Sequence, residues 1–93
     1  MSQFTFYYVF KCNPSGFALQ RADIGQPSRI KKYQTLSAIL ADTAVVAGGG
    51  EVKDLEVVPW DWTRPYEWDM LLFTLQTDDH GVWEFCPIEN YSN

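Results

Sequence analysis

The sequence predicts an α+β fold, in which a mostly antiparallel sheet of about five strands carries one helix across one face. Three observations support this prediction. Runs of aromatic and β-branched residues occur near both ends of the chain, turn-forming residues separate consecutive runs, and one stretch over 36–47 has apolar residues at helical spacing. Because 93 residues match the size of one domain, we expect residues 1–93 to form a single α+β domain.

The first three strands are predicted before the helix. Residues 3–12 are apolar on both faces, which is typical of a central strand. The turn 13–16, with proline second and glycine last, leads into a strand over 17–23. Residues 29–33 form a weaker strand whose lysines suit a sheet edge. In the first strand, one face is predicted to contain Phe4, Phe6, Tyr8 and Phe10, and the other Tyr7 and Val9.

The helix is predicted to begin at Leu36, with Thr35 as its N-cap. Thr43 falls within the apolar stripe, where its methyl group can pack while its hydroxyl bonds to a carbonyl one turn earlier. The glycines at 48–50 end the helix, because glycine tolerates the left-handed closing conformation. The buried face is predicted to contain Leu36, Ile39, Leu40, Val46 and Ala47.

The second half of the chain predicts one strand and then a hairpin. Residues 51–59 form a strand that ends at Pro59, since proline cannot donate to the ladder. The strands 70–77 and 82–89 are joined by the turn 78–81. Within the hairpin we expect Leu71, Phe73 and Leu75 on one face, with Trp83 and Phe85 on the partner strand.

The net charge of −5 conceals an asymmetry along the chain. Residues 1–41 contain five basic residues and one acidic residue. Residues 42–93 contain two basic residues and eleven acidic ones. Such asymmetry informs expectations about partners and not about fold.

The N-terminus and the cysteines indicate the compartment. The N-terminus lacks the basic start and cleavage site of a signal peptide, and no apolar run reaches the roughly 18 residues that span a membrane. We therefore expect a cytoplasmic protein without membrane contact. Cys12 and Cys86 are expected to be reduced, half-buried thiols, although both end predicted strands, so a bridge stays geometrically open.

Catalytic and metal-binding patterns are missing from the sequence. The one histidine, His80, lies in a polar turn where it is expected to be solvated. One histidine and two distant cysteines cannot form a structural zinc site. The glycines at 48–50 follow a helix, whereas phosphate-binding glycines precede one. We therefore expect no enzyme activity, no metal and no cofactor.

The segment 57–69 is the most informative stretch for function, since it contains three of the four tryptophans. One interpretation is structural, with the rings covering one end of the sheet. The other is a proline-braced contact surface, because tryptophan, tyrosine and arginine dominate binding hot spots. In that interpretation the anchors are Trp62, Arg64, Tyr66 and Trp68, and the steering carboxylates are Asp61, Glu67, Asp69, Asp78 and Asp79.

The leading hypothesis is a small acidic antagonist that binds another protein and occupies a basic, nucleic-acid-binding surface on it. Toxin-immunity proteins and phage anti-CRISPR proteins offer an analogy of size and charge only. Two alternatives stay open. A homo-oligomeric structural protein could pair through 29–33 or 51–58, so the chain is expected to be a monomer or a homodimer. A nucleic-acid-binding module would use Arg21, Arg29, Lys31 and Lys32 beside strand aromatics.

Overall fold

The computed structural model describes residues 5–12, 14–59, 70–77 and 81–87, and these form one helix and one six-stranded antiparallel sheet. The predicted α+β class, with one helix on one face, is confirmed. The strand order in the sheet is β4-β3-β2-β1-β5-β6. The elements are β1 (Thr5–Lys11), β2 (Phe17–Asp23), β3 (Arg29–Tyr33), α1 (Leu36–Ala47), β4 (Glu56–Val57), β5 (Leu71–Thr77) and β6 (Trp83–Pro87).

β1 lies at the centre of the sheet, as its two apolar faces predicted, and pairs with β2 and β5. The turn from β1 to β2 closes when the Cys12 N–H donates to the Gly16 carbonyl over 2.9 Å. Gly16 has a φ of 94°, and a Cβ at this position would lie 2.9 Å from the carbonyl oxygen of Tyr33. Both the dihedral and the close approach therefore require glycine here.

β4 pairs with β3 at Arg29 and Ile30, so β3 is not the outermost strand there. Lys31 and Lys32, which predicted an edge, lie beyond this two-residue ladder. The predicted strand 51–59 is correspondingly shorter than expected. Val52 is buried in the core, and Asp54 adopts a left-handed φ of 65°. The chain before β4 therefore follows an irregular path that buries Val52, and only two residues join the ladder.

Both predicted ends of α1 are observed. The Thr35 hydroxyl oxygen accepts the Ala38 N–H over 3.2 Å, and the Thr43 hydroxyl donates to the Leu40 carbonyl over 2.9 Å. Gly49, with a φ of 90°, follows the last turn, and its N–H donates to the carbonyl of Val46. Glycine thus ends this helix in the left-handed conformation.

The buried face of α1 is narrower than predicted. Its buried residues are Ile39, Thr43 and Val46, whereas Leu36 and Leu40 are exposed, and so is Ala47. With 100° between successive residues, positions 39, 43 and 46 form one line toward the sheet and the others lie to one side of it. A single helix on a broad sheet buries only that line.

Two clusters of buried residues lie on opposite faces of the sheet. The cluster under α1 includes Val9, Leu19, Ile39, Val46 and Leu75. The second cluster occupies the face turned away from α1, because neighbouring strand residues point to opposite faces. Its buried members are Phe10, Ala18 and Ile30.

β5 and β6 pair as the predicted antiparallel hairpin. Phe73 and Phe85 stack at 5.4 Å between ring centroids, and Trp83 meets Tyr7 edge to face at 5.3 Å. Leu71 is an exception to the predicted common face. The register shifts between Val9 and Phe10, so that Leu71 pairs with Phe10 and packs on the second cluster. A bulge changes which face the following residues occupy.

Among the described residues, no helix has the length and apolar character needed to cross a membrane. The predicted turn 78–81 is described only at Gly81, and the predicted strand residues 88 and 89 lie outside the described part of the chain.

Candidate functional site

The predicted partner-binding residues all lie within 60–69 and 78–80, outside the part of the chain that the structure describes. Residues 60–69 are called the aromatic segment below, and the described residues on either side of it have defined positions. Val58 and Met70 both pack against the second cluster, on the face turned away from α1. The strands they adjoin, β4 and β5, are separated in the sheet by β3, β2 and β1.

A buried polar pair lies on the same face. Gln20 and Ser28 are fully buried, and the Gln20 amide donates to the Ser28 hydroxyl oxygen over 3.1 Å. The Ser28 carbonyl accepts the N–H of Val58 over 2.9 Å. Val58, two residues before the aromatic segment, is thus fixed by a backbone hydrogen bond. Sequence reasoning did not identify this pair, because nothing in the local pattern around Gln20 marks it as buried.

Arg21, the first residue of the predicted basic strip, is engaged in contacts within the chain. Its guanidinium lies 3.1 Å from a carboxylate oxygen of Asp23 and 3.7 Å from one of Glu51. It also lies over the ring of Tyr7, 5.9 Å from the centroid. Burial raises the pKa of Tyr7, and the nearby Arg21 partly opposes that rise.

Lys31 forms the second paired group, together with Asp42 on α1 and Tyr33. The Lys31 ammonium donates to the Asp42 carboxylate over 3.0 Å, and the Tyr33 hydroxyl donates to the same oxygen over 2.6 Å. Burial disfavours the charged carboxylate, but these hydrogen bonds outweigh burial and hold the pKa of Asp42 below its usual value. Burial, and then the hydrogen bond to Asp42, raises the pKa of Tyr33 well above its ordinary value.

The other two basic residues do not complete one positive strip. Arg29 is exposed and pairs in register with Arg21 on the helix side of the sheet. Lys32 pairs in register with Ala18 and faces the opposite side. The structure therefore brings Arg21, Arg29 and Lys31 to one face and places carboxylates beside Arg21 and Lys31. Lys32 lies on the other face and meets Lys31 only at the edge of β3.

An open cleft of about 450 Å³ lies where β4 meets β3. Its charged lining is mixed, with two lysines and two acids beside apolar side chains. The lining residues are Ile30, Lys31, Lys32, Asp54, Glu56, Val57 and Val58. A lining of this kind offers neither a uniform phosphate-binding surface nor a set of convergent catalytic groups.

α1 exposes three large aliphatic side chains, with Leu36 and Leu40 on one flank of its buried line and Val45 on the other. Leu36 and Val45 are each 44% exposed and Leu40 is 41% exposed. Asp42 is the only charged residue of this twelve-residue helix, and it is turned toward β3. The other exposed residues of α1 are small. They are Ser37, Ala38, Ala41, Ala44 and Ala47.

Cys12 and Cys86 are half-buried and are not joined in a disulfide. The side-chain amide of Gln76 donates a hydrogen bond to the sulfur of Cys86 over 3.2 Å. The described ranges contain no group of three side chains that could hold a metal ion.

Comparison with known proteins found no matching family model, and no curated protein or solved structure with a significant match.

Proposed function

We propose that this protein is a non-catalytic binding module that occupies a basic surface on a larger protein, as a small antagonist does. The observation that carries the proposal is the setting of Val58 and Met70. Val58 and Met70 lie on either side of 60–69 in the sequence, and both pack on the same cluster, so the described chain before and after these residues is anchored to the face turned away from α1. Holding a contact segment in place lowers the entropic cost of binding.

The chemistry of the segment supports the same proposal. Trp62, Arg64, Tyr66 and Trp68 belong to the residue types that dominate binding hot spots. The acids that accompany them are the proposed steering groups, because complementary charge accelerates encounter with a basic partner. These acids are Asp61, Glu67, Asp69, Asp78 and Asp79.

The internal pairing of the basic residues favours this proposal over nucleic-acid binding. Arg21 and Lys31 both lie within ion-pair distance of carboxylates, and Lys32 is on the other face of the sheet from them. Phosphate binding depends on cations that can replace counterions along a backbone. A chain with a net charge of −5 presents few such groups.

The test is capture of partners from source-cell lysate by the tagged protein, with and without nuclease, followed by mass spectrometry. We expect a stoichiometric protein partner that resists nuclease. Trp62→Ala or Arg64→Ala should weaken its binding by roughly 2 kcal/mol or more while thermal unfolding stays unchanged. Arg29→Ala removes an exposed arginine from the helix side of the sheet and is the matched control.

Two results would contradict the proposal. One is normal binding by both variants of the aromatic segment. The other is loss of every partner on nuclease treatment, together with weaker retention when Lys31 and Lys32 are replaced by glutamine, which would favour the nucleic-acid module.

A further inference from the structure

β6 forms one outer edge of the sheet, because it pairs with β5 on one side and no described residue pairs with it on the other. A strand in this position presents N–H and C=O groups along its outer side that can pair with another chain. The opposite edge is shorter, since β4 contributes only Glu56 and Val57 to the ladder. The longer edge of this sheet is therefore the outer side of β6.

Two hydrogen bonds fix which backbone groups face which strand. In an antiparallel ladder, the residues of each strand direct their N–H and C=O groups alternately to one side and the other. The Cys12 N–H donates to the Gly16 carbonyl, and this pair continues the register of β1 with β2. Even-numbered residues of β1 therefore bond to β2, and odd-numbered ones to β5. The bond from the Val58 N–H to the Ser28 carbonyl requires the same alternation when it is followed from β4 through β3 and β2.

The same alternation determines the outer side of β6. Before the bulge in β1, odd-numbered residues of β1 and β5 pair with each other, so the even-numbered residues of β5 bond to β6. These pair with even-numbered residues of β6. Trp83 and Phe85 consequently direct their N–H and C=O groups outward. Pro87 directs only a carbonyl outward, because proline has no N–H.

The side chains along this edge differ between the two faces of the sheet. Trp83 packs on the cluster under α1. Phe85 is on the same face and stacks on Phe73, yet it is 49% exposed. Glu84 is exposed on the face turned away from α1. A strand added at this edge therefore meets aromatic side chains on one face and a carboxylate on the other.

We propose that the outer edge of β6 binds an extended segment of a partner protein in which a lysine or arginine lies between two apolar residues. Backbone hydrogen bonds to Trp83 and Phe85 add this segment to the sheet, a mode that recurs in peptide-binding domains. The cation pairs with Glu84 across the strands, and the apolar residues pack beside Phe85. The inference goes beyond the proposed function, because β6 contains none of the residues proposed there.

The residues of β6 disfavour a second copy of this chain as the added strand. Full antiparallel overlap of β6 with its copy places Pro87 opposite Trp83, whose outward carbonyl then lacks a donor. A shift that pairs Trp83 with Phe85 instead places the two Glu84 carboxylates opposite each other, and like charges in that position are destabilising. Each copy also has a net charge of −5. A basic segment from another protein avoids these costs.

Hydrogen exchange measured by NMR on the full chain tests the inference, with a terminally blocked synthetic peptide of alternating valine and lysine as the probe. In the free chain we expect rapid exchange of the Trp83 and Phe85 amides, and protection of the Glu84 and Cys86 amides that bond to β5. Added peptide should protect the Trp83 and Phe85 amides as well.

A charge reversal separates recognition by Glu84 from general attraction to an acidic chain. Glu84→Lys should weaken binding of the valine–lysine peptide by about fivefold or more, because it replaces an attractive cross-strand pair by a repulsive one. Glu56→Lys is the matched control, since Glu56 is an exposed carboxylate on the strand at the opposite edge. It should leave binding nearly unchanged. A valine–glutamate peptide should prefer the Glu84→Lys variant to the parent.

Methylation of the peptide backbone tests the hydrogen-bonded geometry. The valines lie on the face of Phe85, and their N–H groups point toward β6. N-methyl groups on the valines should therefore abolish binding. The lysine N–H groups point away from β6, so N-methyl groups there should be tolerated.

Several results would overturn the inference. One is the absence of binding at millimolar peptide, and another is Trp83 and Phe85 amides that are already protected in the monomeric free chain. Equal weakening by Glu84→Lys and Glu56→Lys would reduce the binding to general charge attraction. Protection that appears without peptide as the chain dimerises would make a second copy the occupant. None of these measurements involves residues 60–69 or a partner from lysate, so failure here is distinct from failure of the proposed function.

Discussion

At the scale of single residues, the Asp42 carboxylate links the helix to the sheet and gives stability a pH dependence. Hydrogen bonds from Tyr33 and Lys31 hold the pKa of Asp42 below its usual value despite partial burial. A carboxyl group whose pKa is lower in the folded chain contributes stability above its unfolded pKa of about 4. That contribution is lost as the pH falls through the folded-state pKa.

Asp42→Asn should therefore destabilise the protein at pH 7 by roughly 1–2 kcal/mol. The difference from the parent should shrink as the pH falls through the folded-state pKa of Asp42, since the parent carboxylate is then protonated too. Urea unfolding at several pH values measures this. Asp54→Asn, at an exposed carboxylate in the cleft beside β4, is the control and should leave the free energy of unfolding at pH 7 nearly unchanged. A difference that persists at low pH would assign the effect to packing.

At the scale of elements, β5 illustrates how burial controls the cost of a substitution. Leu75 is fully buried and Leu72 is 38% exposed on the same strand. Leu75→Ala removes buried methyl groups and leaves a cavity, so we expect a loss of about 2–5 kcal/mol in the free energy of unfolding. Leu72→Ala should cost less than about 1 kcal/mol. Chemical denaturation of both variants checks this, and equal costs would contradict the placement of β5 between β1 and β6.

The N-cap of α1 gives a second prediction at this scale. Thr35→Ala removes the oxygen that accepts the Ala38 N–H and should cost about 1 kcal/mol. Thr35→Ser keeps that oxygen and should cost much less. Thermal unfolding of the two variants separates the cap from other effects of the threonine side chain. If serine and alanine are equally destabilising, the methyl group of Thr35 matters and the cap does not.

At the scale of the whole molecule, the two buried clusters share the strands of one sheet. The residues of β1 alternate between them, with Val9 in one and Phe10 in the other. We therefore expect one cooperative unfolding transition, with tryptophan fluorescence and far-UV circular dichroism giving the same midpoint. Val46→Ala, on the buried side of α1, and Ile30→Ala, on the face of the sheet turned away from α1, should both lower that single midpoint. Two separate transitions would contradict the prediction of a single domain.

Local signals in the sequence were sufficient for much of the fold. The two apolar faces of β1 predicted a central strand, Thr35 and the glycines at 48–50 predicted the ends of α1, and turn residues between two apolar runs predicted the last hairpin. Caps, turns and alternation act within a few residues, so they can be recognised without knowing the rest of the chain. The candidate site was less predictable, because a sequence identifies residue types that suit binding but not the contacts they make.

Tertiary structure alone decided which of these residues are covered and which are paired. Leu36 and Leu40 share the apolar character of Ile39, but only Ile39 faces the sheet. A bulge beside Phe10 turns Leu71 to the other face. Lys31 is paired because folding brings Asp42 to it. Burial and ion pairing depend on residues distant in the chain, and that is the physical reason the narrow buried face of α1 and the pairing of Lys31 with Asp42 became visible only in the folded molecule.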